Sequence, residues 1–286
     1  NDTMLIGTSL NIFEDLRPDM PRYLGRIAAA GIEALDFNGI DVIRDWVKGD
    51  GARWAAELGE AAKAAGLVFS QSHGPMFSGY DDQCATHEAL IRPCLEYSAA
   101  VGAPWMVMHP FTLPAPATWQ DNFRANLEFY RAYLPVCEAT GVGLALENMS
   151  DFFSKGRRYC ATPDELAHLC DSLDHPLVGL CWDTGHAHLQ RVPQAWAIGQ
   201  LGARLKVLHI QDNNAQNDDH ILPLHGTIDW STVLDGLRAA GYQGAWSLEV
   251  HNGIRRLPDH LRDDALALGV KVSRWLTRDY AVPASA

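Results

Sequence analysis

The chain has 286 residues, 47% of them hydrophobic and 20% charged, with a formal net charge of −12. That size and composition describe a globular protein that buries a large core without disulfide staples, and no run reaches the ~18 apolar residues that span a bilayer. The negative charge repels phosphate backbones, so neither a nucleic-acid partner nor a membrane partner is expected.

The predicted elements alternate along the chain. Met4 to Thr8 is a first short apolar run. Met20 to Ala30 has helical spacing and stops at Gly31. Ile32 to Phe37 is a second strand. Ala52 to Ala65 is an Ala-rich helix closed by Gly66, and the third strand ends at His73. His87 to Val101 is helical, closed by Gly102, and the fourth strand ends at His109. Trp119 to Thr140 reads as one long helix closed by Gly141, and the fifth strand ends at Glu147. Thr162 and Pro163 open a helix to Leu173, as an N-cap and first-turn proline do. The sixth strand ends at Asp183, Pro193 to Leu201 is helical, and the seventh strand ends at His209. Asp229 caps a helix over Trp230 to Ala240, closed by Gly241. The eighth strand ends at Glu249, and Pro258 to Leu276 is the last helix.

Eight strands in strict alternation with eight helices, at roughly 35 residues per repeat, predict an α/β fold, a single (β/α)8 TIM barrel forming one domain over residues 1–286. Six cysteines (Cys84, Cys94, Cys137, Cys160, Cys170 and Cys181) show no CxxC spacing, and most lie in apolar or helical patterns. They read as reduced core thiols, which together with an N-terminus lacking a basic, apolar leader points to a cytoplasmic protein.

Glu147, Asp183, His209 and Glu249 each close a different apolar run. Parallel strands side by side bring such ends to one mouth, where three carboxylates and an imidazole make a divalent-metal site. Any one of the four alone would serve as a strand-end hydrogen-bonding group; their equivalent positions favour the metal reading. Mn²⁺ and Zn²⁺ suit the donor set best, with Co²⁺ and Mg²⁺ compatible. A second set, His73, His109, His186, Asp218 and His220, falls at or just after the same strand ends. It either binds substrate hydroxyls, braces the carboxylates, or holds additional metal ions. The longest loops, Gly74 to Asp82, Pro110 to Thr118, Asn148 to Ala161 and Gln211 to Thr227, also fall on that face. Trp105, Trp182, Phe77, Phe111 and Phe153 are candidates for an aromatic wall, with rim packing the competing reading. Lys155, Arg157 and Arg158 could hold a phosphate or carboxylate, although a solvated basic loop is the simpler reading.

The stretches Ala145-Leu146-Glu147-Asn148, Trp182-Asp183-Thr184-Gly185-His186, Leu208-His209-Ile210-Gln211-Asp212, Asp218-Asp219-His220 through Trp230, and Ser247-Leu248-Glu249 resemble the xylose isomerase-like barrel superfamily. That superfamily holds sugar isomerases, ketose 3-epimerases, inosose dehydratases and endonuclease IV. The resemblance implies that Glu147, Asp183, His209 and Glu249 bind one divalent ion. It implies that Glu147 and Glu249 are the catalytic acid/base pair, and that His186 contacts substrate. The endonuclease IV branch implies further metal ligands at His73, His109, His186, Asp218 and His220. One departure stands out: ketose 3-epimerases place an Arg shortly after the seventh-strand His, where this chain has Asn213-Asn214-Ala215-Gln216.

The function expected is metal-dependent isomerisation or epimerisation of a small carbohydrate by proton transfer through a metal-stabilised enediolate, with a dehydratase variant within the same chemistry. The alternatives are an endonuclease IV-like phosphodiesterase, which the net charge opposes, and a non-catalytic sugar-binding barrel. Barrels of this type often associate, so a homo-oligomer is compatible with the sequence.

Overall fold

A computed structural model describes residues 3–38, 49–76, 84–153 and 156–281. Its strands are β1 (Ile6–Ser9), β2 (Ala34–Asn38), β3 (Val68–His73), β4 (Trp105–Met108), β5 (Gly143–Glu147), β6 (Val178–Asp183), β7 (Leu205–His209) and β8 (Trp246–Leu248). The α-helices among the described residues are α1 (Met20–Ala29), α2 (Gly51–Ala64), α3 (Cys84–Val101), α4 (Trp119–Arg131), α5 (Leu134–Thr140), α6 (Pro163–Leu173), α7 (Thr184–Leu189), α8 (Gln194–Leu201), α9 (Trp230–Ala240), α10 (His251–Arg255) and α11 (Asp259–Thr277).

The strands form one sheet in the order β7-β6-β5-β4-β3-β2-β1-β8, every neighbouring pair parallel. A parallel bridge between Ile210 and Leu248 brings the two ends together. There the Ile210 N–H donates to Ser247 O at 2.8 Å and the Glu249 N–H to Ile210 O at 2.9 Å. The sheet is therefore a (β/α)8 barrel, as the alternation predicts. Helix stops follow the glycine pattern: α5 and α9 end at Gly141 and Gly241, whose φ of 72° and 66° would strain a residue bearing a Cβ.

Two features depart from the sequence reading. The helix expected over Trp119 to Thr140 is two, α4 and α5, broken at Ala132 and Tyr133. Pro135 is the cause: it lacks an N–H and crowds the preceding turn, so it fits only the first turn of a new helix. The short helices α7 and α10, directly after β6 and β8, were not anticipated.

Side-chain alternation sorts the strands into two faces. Outward residues such as Leu144, Leu146, Leu180, Trp182 and Leu208 join the core beneath the helices. Inward, Val107, Ala145, Cys181 and Val207 form a separate apolar plug, with Trp105 packed against it. A Cβ on Gly143 would lie 2.2 Å from the Trp105 ring, so the absence of a side chain there makes room for the indole. Trp105 thus fills the N-terminal end of the barrel. Two residues further along each inward row come His109, Glu147, Asp183 and His209, at the opposite end.

Candidate metal centre

All nine residues singled out from the sequence lie at the C-terminal mouth, and almost all are buried. Glu147, Asp183, His209 and Glu249 are 1%, 0%, 0% and 6% exposed. His209 Nδ1 lies 3.2 Å from Glu147 Oε2 and 3.5 Å from Glu249 Oε2. His109 Nε2 is 3.0 Å from Glu147 Oε2, His73 Nε2 is 3.7 Å from the same oxygen, and His186 Nδ1 is 3.3 Å from Glu147 Oε1. Around Asp218 Oδ2 sit His220 Nε2 at 2.7 Å and His186 Nε2 at 3.8 Å.

The strand ends are held in place by their neighbours. Asn148 clamps β5 to β6: its Oδ1 accepts from the Asp183 N–H at 2.7 Å and its Nδ2 donates to Asp183 O at 2.9 Å. Asp183 also caps α7, accepting from the His186 N–H at 2.6 Å, which fixes the His186 backbone beside it. Gln211 Nε2 donates to Asp218 Oδ1 at 2.6 Å and to Asp183 Oδ1 at 3.3 Å. The loop after β7 is knitted by Asp212, whose carboxylate accepts from the Ile228 and Leu224 N–H groups and the Trp230 indole. That loop places Asp218 and His220, the latter with a left-handed φ of 47°. Such strain persists only where surrounding contacts over-determine it.

Four imidazoles share one arrangement. His73 Nδ1 donates to Gly74 O at 2.8 Å, His186 Nδ1 to Asn148 O at 3.0 Å, and His220 Nδ1 to Glu249 O at 2.9 Å. His209 Nε2 donates to the Asp36 carboxylate at 3.1 Å. Each ring thus spends one nitrogen on a fixed acceptor and turns the other toward the acidic centre, as metal-binding histidines do.

Electrostatics follow from burial and crowding. Burial pushes the Asp183 carboxyl up to about 7, aided by the negative charges of Glu147, Glu249 and Asp218 and opposed by His186. Burial works against the charged Glu147 too, but the His209 and His109 imidazoles outweigh it and hold its carboxyl well below the usual range. Burial likewise opposes protonation of His220, yet Glu249 and Asp218 raise it to about 9.

The donors fit a cation. Asp183 Oδ2 and His209 Nδ1 are buried and have no hydrogen-bond partner among the described residues, a costly state for groups with nothing to satisfy them. Ligand atoms of Asp183, His209 and Glu249 lie within 4.8 Å of one another, as do those of His73, Glu147 and His209, of Glu147, Asp183 and His186, and of His220, Glu249 and His251. Mixed carboxylate and imidazole donors suit Mn²⁺, Zn²⁺ or Co²⁺.

Two residues of this neighbourhood escaped the sequence reading. Asp36, on β2, is fully buried and bonds both His209 and Gln71 Nε2, the latter at 3.1 Å. The available signal was a lone carboxylate inside the apolar run Ala34-Leu35-Asp36-Phe37. His251 opens α10, its ring centroid 4.4 Å from that of His220. An imidazole two residues beyond a candidate ligand was its signal.

Other expectations are corrected. Trp105 lies at the far end of the barrel. Trp182 faces outward, its indole donating to Gln194 Oε1 at 2.9 Å, and Phe111 packs edge-on against Phe129 of α4. None of the three forms an aromatic wall at the mouth. Phe77, Lys155 and the Phe153 side chain lie outside the described residues, as does part of the Gly74 to Asp82 loop. In the basic segment, Arg157 is exposed and paired with Glu165 at 2.7 Å, but Arg158 is 1% exposed. It is not part of a solvated loop.

Residues 25–269 match the family model described as xylose isomerase-like TIM barrel, and the chain belongs to that family. It is 28% identical over 203 residues to the uncharacterised protein y4fM of Sinorhizobium fredii, covering 67% of this chain and 62% of that one, so the match spans less than two thirds of that relative. It is 23% identical over 243 residues to a D-psicose 3-epimerase of Enterocloster bolteae, covering 81% of this chain and 76% of the relative. Among solved structures, the IolI protein with a bound zinc atom superposes with a TM-score of 0.79 at 16% identity, covering 98% of this chain and 100% of that one. That likeness establishes the fold.

Proposed function

We propose that this chain is a divalent-metal-dependent epimerase or isomerase of a sugar, or of a closely related polyol or keto-sugar. The observation that carries the reading is the convergence of Glu147 and Glu249, from the non-adjacent strand ends of β5 and β8, on the same His209 nitrogen. The metal would be held by Glu147, Asp183, His209 and Glu249. A divalent ion bound there supplies a Lewis acid for the carbonyl and neighbouring hydroxyl oxygen of a hydroxyketone. The protein supplies the proton transfers. One glutamate, kept ionised by the imidazoles around it, removes the proton from the carbon that bears the hydroxyl and leaves an enediolate. The other, having taken a proton from solvent, delivers it to the opposite face, which inverts that carbon, and the first glutamate releases its proton to solvent. Return to the neighbouring carbon gives isomerisation instead, and loss of hydroxide gives dehydration. His186 would position a substrate hydroxyl. The relative named a D-psicose 3-epimerase supports this class of reaction.

The test is a screen of ketoses, aldoses, inososes and keto-sugars for deuterium wash-in from D₂O, with Mn²⁺ and with Zn²⁺. Glu147→Gln and Glu249→Gln are expected to lower exchange about 10²–10⁴-fold. Full turnover in metal-loaded variants would remove the two glutamates from the mechanism. A second reading, metal-assisted phosphodiester hydrolysis, is favoured by the gathering of His73, His109, His186, Asp218 and His220 around the same centre. Three equivalents of zinc together with cleavage of abasic DNA would establish it over the first.

A further inference from the structure

Arg158 presents an unusual balance of charge and surroundings. Its side chain is among the largest fully buried ones, 1% exposed. Nε, Nη1 and Nη2 are all shielded from solvent and have no hydrogen-bond partner among the described residues. A guanidinium carries five N–H donors and stays charged in proteins. Leaving all of them unmet is among the costliest arrangements a folded chain can hold. Methionine or leucine would fill the same space without that cost.

The backbone around it is firmly placed. The Arg158 N–H donates to Asp151 Oδ1 at 2.6 Å, Tyr159 N–H to Thr112 Oγ1 at 3.0 Å, and Met149 N–H to Cys160 O at 2.9 Å. Asp151 is in turn bound by Gln190 Nε2 at 3.1 Å, at the end of α7. The Arg158 segment is therefore stitched between the loops that leave His109 and Glu147 and the helix that carries His186. It belongs to the catalytic face, where the loops of this architecture choose the substrate. Asp151 is the nearby carboxylate, yet it accepts the backbone N–H of Arg158 and leaves the guanidinium unbonded.

We propose that Arg158 is a specificity-determining residue that receives an anionic group, a carboxylate or phosphate, on the substrate. The inference rests on the sugar-converting reading above and names its substrate class: an acidic or phosphorylated sugar rather than a neutral one. The planar fork of a guanidinium matches two oxygens of either group at once. Reaching the guanidinium requires local opening of the 156–160 segment against the hydrogen bonds of Arg158, Tyr159 and Cys160, a cost that the two-oxygen contact with the anion must offset.

The test is thermal unfolding of the full chain after treatment with chelator, so that binding is read apart from turnover. The probes are inorganic phosphate, glucuronate and glucose 6-phosphate against glucose, at matched ionic strength. At ten times its Kd, an anion that engages Arg158 is expected to raise Tm by about 2–3 °C, while glucose does not. A shift from glucuronate alone identifies a carboxylate, and one from the phosphates alone identifies a phosphate. Arg158→Met is expected to abolish the shift, and its own ligand-free Tm is expected to equal or exceed that of the parent. Anion shifts of equal size in Arg158→Met overturn the proposal. So does a parent protein that no anion stabilises beyond glucose, whatever the variant does. Because no catalytic turnover enters the measurement, failure here leaves the epimerase reading to the deuterium screen.

Discussion

Asp36 shows how much of the proposed metal centre rests on residues outside the ligand set. Its carboxylate holds His209 Nε2 at 3.1 Å and thereby turns Nδ1 toward Glu147 and Glu249. Without it, His209 is free to rotate or to place its proton on the nitrogen needed for binding. Asp36→Ala is therefore expected to weaken Mn²⁺ or Zn²⁺ binding about 10–100-fold, measured by competition with a chromophoric chelator. An affinity equal to that of the parent would mean His209 is oriented by packing alone. Residue-scale legibility in the sequence had a clear limit. Residues at strand ends announce themselves, because the apolar run stops there. Asp36 sits within a run and was passed over, and Arg158 was read by its type rather than by its burial, which the sequence does not encode locally.

At the scale of elements, the barrel divides into two ends with separate tasks. Trp105 and Gly143 fill the N-terminal end, while the acidic and imidazole groups occupy the other. Gly143→Ala would drive a methyl group into the Trp105 ring, since a Cβ at that position would lie 2.2 Å from it. Overpacking of this kind is expected to cost about 1–3 kcal/mol, visible in urea denaturation, with metal affinity unchanged. Loss of affinity in the folded variant would show that the two ends are coupled. The strand order and the gathering of nine site residues were legible because β-to-α alternation, glycine stops and polar strand ends all repeat with one period. The break between α4 and α5 was hidden because Pro135 fits the first turn of a helix as readily as it ends one. Among the aromatic candidates, Trp182 misses the mouth for a simpler reason. Trp182 precedes Asp183 by one residue, and strand alternation sends adjacent side chains to opposite faces.

For the whole molecule, the burial of so many titratable groups ties stability to proton binding and, under the proposed function, to the ion that would take the protons' place. In the metal-free protein, the protons act alone. His73, His186 and His209 are all raised above their usual range; burial opposes this in each, but neighbouring groups prevail, Glu147 at His73, Asp183 at His186, and Cys181, Glu249 and Glu147 at His209. His220 is raised to about 9. These groups bind protons in the folded chain that the unfolded chain, with imidazoles near 6.5, has already released. Their stabilisation is fully present below about pH 6.5 and is lost as pH rises through the folded values. Asp183, raised to about 7 by burial, contributes in the same direction between about pH 4 and 7. His251 acts oppositely, since burial and His220 lower it to about 4, so its term favours the folded state as pH rises from about 4 to 6.5. His109, which burial also lowers, adds to the same rise below about pH 6.5. Above pH 6.5 only the raised groups still titrate. The Tm of chelator-treated protein is therefore expected to fall from pH 6.5 to 9. A divalent ion brings positive charge without a proton and binds the deprotonated ligands. Saturating Zn²⁺ or Mn²⁺ is accordingly expected to raise Tm more at pH 8 than at pH 6 and to flatten the decline. Parallel pH profiles with and without metal, recorded by differential scanning calorimetry, would mean that the buried carboxylates and imidazoles balance one another and require no ion.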